Sequence, residues 1–63
     1  MIITKTLGGT SYQNNNKSVR VWMCNTIDNQ ISVFKEGYED ITRKVFKYKT
    51  DAVEYIHFLV NGE

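Results

Sequence analysis

The sequence predicts an α+β fold: a three-stranded antiparallel β-meander packed on one C-terminal α-helix, with residues 2–7 available as a fourth strand. Three observations carry this. Residues 18–48 hold β-branched and aromatic residues in short runs parted by turn residues. After residue 49 the apolar period changes, with Ala52, Tyr55, Ile56 and Leu59 at i, i+3, i+4 and i+7. A chain of 63 residues is sized for one domain, expected to span 1–63.

Each element has a local reason. "IITKTL" (2–7) reads as a short strand stopped by Gly8-Gly9. "GGTSYQNNNKS" (8–18) reads as a polar connector, with Tyr12 as an anchor if the loop makes contacts. Residues 18–26 form the first strong strand, and Ile27-Asp28-Asn29 turns it. "QISVFK" (30–35) is the next, followed by a Glu36-Gly37 turn that suits a bulged hairpin. "EDITRKVFKY" (39–48) is expected as the third strand, with a helical reading of 38–48 the weaker alternative because its apolar positions lack helical spacing. Thr50 is the expected N-cap of the helix, with Asp51 and Glu54 in its early turns and Asn61-Gly62 as its stop.

The segment "VRVWMCN" (19–25) is apolar on both alternations. Val19, Val21 and Met23 share one face with Ile31 and Val33. Arg20, Trp22 and Cys24 share the other with Ser32 and Phe34. A bulge in the second turn adds Ile41 and Val45 to the aliphatic face and Thr42, Lys44, Phe46 and Tyr48 to the aromatic one. Without the bulge, the third strand flips and the two sets exchange. In either register one helix can cover only one face, which leaves the second to the N-terminal segment, another copy or a partner.

Composition narrows the function. At 41% hydrophobic and 24% charged the chain is too apolar for a disordered tail. A net charge of +1 disfavours both a dedicated nucleic-acid binder and an acidic DNA mimic. One cysteine, Cys24, cannot form an internal disulfide, and one histidine, His57, leaves no zinc constellation. "MIITKTLGGTS" has neither a basic n-region nor a long apolar run, so no signal peptide or membrane span is expected. A cytoplasmic location and no cofactor follow as expectations.

No catalytic set emerges. Nothing in the spacing brings Cys24 and His57 within reach of one another as nucleophile and base. Glu36, Glu39 and Asp40 read as a solvated turn rather than an acid–base pair in a pocket. Phe58, off the main helical stripe, is either a shoulder of the core or a second contact point.

The segment "FKYKTDAVEYI" carries Phe46, Lys49, Asp51, Ala52 and Ile56 in an F-x-x-K-x-[DE]-A-x-x-x-Φ junction. This resembles the end of the N-terminal arm-DNA-binding domain of phage and transposon tyrosine integrases, and the order of elements over residues 18–61 is similar. The resemblance implies a three-stranded sheet with one C-terminal helix, whose sheet face enters the major groove.

The expected function is a small non-enzymatic binding protein acting through one sheet face on a protein partner or on itself. Its contact residues would be Tyr12, Arg20, Trp22, Phe34, Lys44 and Tyr48. Lone domains of this size rich in Asn and Lys resemble phage or mobile-element products, which implies an inhibitor or regulator working in the host cytoplasm. The alternative is DNA binding through the sheet by Arg20, Trp22, Arg43, Lys44, Lys47 and Lys49.

Overall fold

Pairing along the chain builds one antiparallel sheet. The computed structural model describes residues 1–16 and 19–62. Strands β1 (Ile2–Thr6), β2 (Gly9–Gln13), β3 (Val21–Asn25) and β4 (Ile31–Lys35) follow in order. A one-turn helix, α1 (Glu39–Thr42), separates β4 from β5 (Lys44–Phe46), and helix α2 (Lys49–Asn61) ends the fold. The sheet order is β1-β2-β3-β4-β5, so every strand pairs with its sequence neighbour.

The sheet therefore has five strands, not three or four. The 8–18 segment is the first source of the difference. Its part 9–13 is a strand paired on both sides, with β1 (Ile3 opposite Tyr12) and with β3 (Tyr12 opposite Val21). Its polar residues show no hydrophobic alternation, because what holds this strand is two ladders of main-chain hydrogen bonds. Lys17 and Ser18 of that loop lie outside the described residues.

The 39–48 strand is the second difference. Its first half coils into α1, and only Lys44–Phe46 pairs with β4. Local polar groups fix that turn. The Glu39 carboxylate accepts from the Gly37 N–H at 2.8 Å. The Thr42 hydroxyl donates to the Tyr38 carbonyl at 2.7 Å and accepts from the Lys35 N–H at 2.8 Å. A single helical turn is not stable alone, so these side-chain bonds to the backbone of the turn and of β4 hold it.

Helix α2 begins at Lys49 with Tyr48 as its N-cap residue, ahead of the expected Thr50, and no side chain caps it. It ends as expected at Gly62, whose left-handed φ of 76° lets its N–H bond the Phe58 carbonyl. Ala52, Ile56 and Val60 are buried on it, packed with Val21 of β3 and Val33 of β4. Tyr12, Met23, Ile31, Phe46, Tyr55 and Leu59 surround this core half-buried. Among the described residues no helix is long and apolar enough to cross a membrane.

The register decides the faces. Met23 lies opposite Val33 and Trp22 opposite Phe34, as the hairpin pairing predicts. Ile31 lies opposite Phe46, Val33 opposite Lys44 and Ser32 opposite Val45. Phe46 and Lys44 thus join the valine face, while Val45 joins Trp22, which is the register without a bulge. Helix α2 covers the valine face, because every sheet residue in its core belongs to that alternation.

Candidate functional site

The helix-free face is assembled from rows of side chains across the strands. One row runs Thr4, Ser11, Trp22, Phe34, each directly opposite the next. A second holds Cys24, Ser32 and Val45. Trp22 and Phe34 form an aromatic ridge, and beside it lie the small residues Ser11 and Ser32, both buried, and half-buried Cys24 as a low floor. Trp22 and Phe34 remain half-buried, and Val45 is 51% exposed.

The small floor residues are fixed by close backbone approach. A Cβ on Gly9 would stand 2.6 Å from the Met23 carbonyl oxygen and 2.7 Å from Cys24 Sγ, so β2 can lie against β3 here only with glycine. The Cys24 thiol sits 3.0 Å from the Gly8 carbonyl, to which it donates. Ser11 Oγ donates at 3.5 Å to the Thr4 carbonyl, a long bond. Among the described residues Ser32 Oγ is buried and finds no hydrogen-bond partner.

Charge enters at the rim. The Arg43 guanidinium lies over the Phe34 ring, 4.8 Å from its centroid. Trp22 Nε1–H donates to the Glu36 carboxylate at 3.3 Å. One cation and one anion thus flank the aromatic pair, in keeping with the near-neutral chain. The Glu39 carboxyl is held below its ordinary pKa, first by the Gly37 N–H and then by its own N–H. Burial opposes this weakly, and Arg43 adds to it.

The residues expected to make contacts divide between several places. Trp22 and Phe34 stand together on the open face. Arg20 immediately precedes β3, exposed, and its carbonyl accepts from the Glu36 N–H at 2.8 Å. Tyr12 packs against the core on the helix side. Lys44 also lies on the helix side, its Nζ 4.9 Å from the Tyr55 ring centroid. Tyr48, 61% exposed, caps α2.

Of the residues named for nucleic acid, Arg43 reaches the open face, Lys44 the opposite one, and Lys47 and Lys49 are exposed at the β5–α2 junction. They form no single basic stripe. Cys24 is on the open face and His57 is exposed on the helix that packs against the other face, so the two do not meet. Among the described residues, no cluster of three or more His, Cys, Asp or Glu could hold a metal.

Hairpin pairing already places Cys24 and Ser32 beside Trp22 and Phe34, whereas Val45 reaches this face only in the register without a bulge and Ser11 belongs to the segment read as a polar connector.

On the other side, Phe58 stacks on Tyr55 at 6.2 Å and remains 53% exposed, a shoulder of the helix rather than part of the core. The chain matches no family model, no curated protein and no solved structure.

Proposed function

We propose that this chain is a non-enzymatic binding protein whose helix-free sheet face docks another protein. The observation that carries the reading is the lack of cover among the described residues: α2 packs on the valine face, and β1 and β2 extend the sheet sideways instead of folding over Trp22 and Phe34. An aromatic pair beside a floor of small residues suits an apolar side chain entering from a partner surface. Arg43 at the rim, already desolvated on one side by Phe34, suits a carboxylate on that partner. Phosphate recognition would call for several cations on one face, and here Arg43 and Lys44 point to opposite sides.

Trp22 is the only tryptophan and lies on this face, so its emission reports docking without a label. The experiment captures a partner from a host lysate with the wild-type chain, purifies it and titrates it against three proteins. The wild type is expected to bind with a blue shift of Trp22 emission. Val45→Glu, which buries a charge in the contact, is expected to weaken binding at least tenfold. Glu54→Lys, exposed on α2, is expected to leave it unchanged. Equal binding by Val45→Glu and wild type would overturn the proposal. Binding to duplex DNA that falls steeply with added salt would replace it with a phosphate-directed reading.

A further inference from the structure

The sheet has two edges, and they are built differently. Strand β5 spans only Lys44–Phe46 and is flanked by Arg43 and Lys47, a short basic edge of the kind that discourages further pairing. Strand β1 spans Ile2–Thr6, "IITKT", with no proline and an unbroken residue-for-residue register against β2. Its only charge is Lys5. Helix α2 does not reach it, since α2 packs on β2 through β5 alone. Ile3 accordingly stands 57% exposed on the helix side of the sheet.

The ladder fixes which main-chain groups of β1 are free. The Glu36 N–H bonds the Arg20 carbonyl and the Thr26 N–H bonds the Gln30 carbonyl, so Arg20, Trp22, Cys24 and Thr26 turn their backbone groups toward β4. Alternation carries this across the sheet. Val21 and Met23 bond β2 through Tyr12 and Thr10, and Gly9, Ser11 and Gln13 bond β1 through Thr6, Thr4 and Ile2. The N–H and C=O groups of Ile3 and Lys5 therefore face outward, with no strand of the described residues beside them.

We infer that β1 pairs antiparallel with β1 of a second copy of this chain, about a two-fold axis at Thr4, making one continuous sheet across a dimer. That register matches the free groups. Ile3 of each copy exchanges main-chain hydrogen bonds with Lys5 of the other, and Thr4 meets Thr4 at the axis, where its own main-chain groups are already used. It pairs the whole strand, and it sets each lysine directly opposite an isoleucine rather than opposite its own image. The two Ile3 side chains become diagonal neighbours, within mutual reach on the helix side. Net charge of +1 per chain gives little long-range repulsion between copies. The two Lys5 side chains are also diagonal neighbours, so their repulsion weakens the dimer and Lys5→Thr should tighten it.

This surface is separate from the one in the proposed function, and the two fail separately. Sedimentation equilibrium over a range of micromolar concentrations is expected to show a monomer–dimer equilibrium for the wild type. Lys5→Pro removes an outward-facing N–H while sparing the bonds to β2, and it is expected to be monomeric. Ile3→Lys keeps the backbone intact and sets a second lysine directly opposite Lys5 of the other copy, and it is expected to dimerise at least tenfold more weakly. Val45→Glu, on the open face, should dimerise as the wild type does. Thermal melts establish that each variant is folded. A wild type that stays monomeric throughout overturns the inference, as does a dimer that survives both β1 substitutions or is lost with Val45→Glu.

Discussion

The paired glycines Gly8 and Gly9 should respond oppositely to the same small change. Gly9 has a φ of 140°, a conformation that L side chains rarely adopt. An added Cβ there would also meet the Met23 carbonyl oxygen at 2.6 Å, a backbone atom that cannot move without β3. The dihedral alone costs about 1–3 kcal/mol. Forcing β2 from β3 adds about 1–3 kcal/mol more. A domain of 63 residues has a total stability of only about 3–9 kcal/mol, so Gly9→Ala removes most of it. Gly8 has its nearest contact at 4.0 Å, the Thr6 hydroxyl, and does not adopt a positive φ. Gly8→Ala is therefore expected to be neutral or to stabilise by about 0.4–1 kcal/mol, through the unfolded chain. Urea melts followed by far-ultraviolet circular dichroism measure both. If the two variants lose stability equally, or Gly9→Ala loses less than about 1 kcal/mol, the close approach of β2 to β3 is misplaced.

Three further substitutions probe other parts of the fold. Ile56→Ala empties a site only 1% exposed and should cost about 2–5 kcal/mol, leaving the protein partly unfolded at ambient temperature by circular dichroism. Ser32→Ala removes a buried hydroxyl that finds no partner among the described residues, so calorimetry should show an unchanged or raised Tm, and a loss above about 1 kcal/mol would mean the hydroxyl has a partner. Glu39 has a folded pKa below its ordinary value of 4.5, so the stability it contributes is present above that value and is lost as pH falls through the folded pKa. Glu39→Gln should therefore flatten the acid side of the stability profile, and a carbon NMR titration of the Glu39 carboxyl should find its midpoint lowered.

The legible parts of the fold were those in which side-chain chemistry alone sets the structure. The α2 stripe of Ala52, Ile56 and Leu59 and the Trp22–Phe34 pairing both follow from apolar period and a short turn. Strand β2 was hidden because Thr10, Ser11 and Gln13 contribute almost no apolar pattern, and its place is fixed by neighbours on both sides. Helix α1 was legible only as the weaker, helical reading of 38–48, because hydroxyl and carboxylate bonds at Thr42 and Glu39 outweigh the β-propensity of Ile41 and Thr42. That single turn also shifts the register of β5 and trades Lys44 and Phe46 for Val45 on the open face. The site was half visible for this reason: Trp22 and Phe34 belong to strands fixed by apolar pattern, whereas Arg43 and Val45 follow the turn.

Paramagnetic NMR reads directly whether the sheet is clothed on one side only. With a water-soluble gadolinium chelate, the Val45 methyls should broaden strongly while those of Val21 and Val33, both 0% exposed, keep their intensity. Val45 methyls as protected as those of Val33 would mean that something in the chain covers the Trp22 face, and the docking surface would be gone.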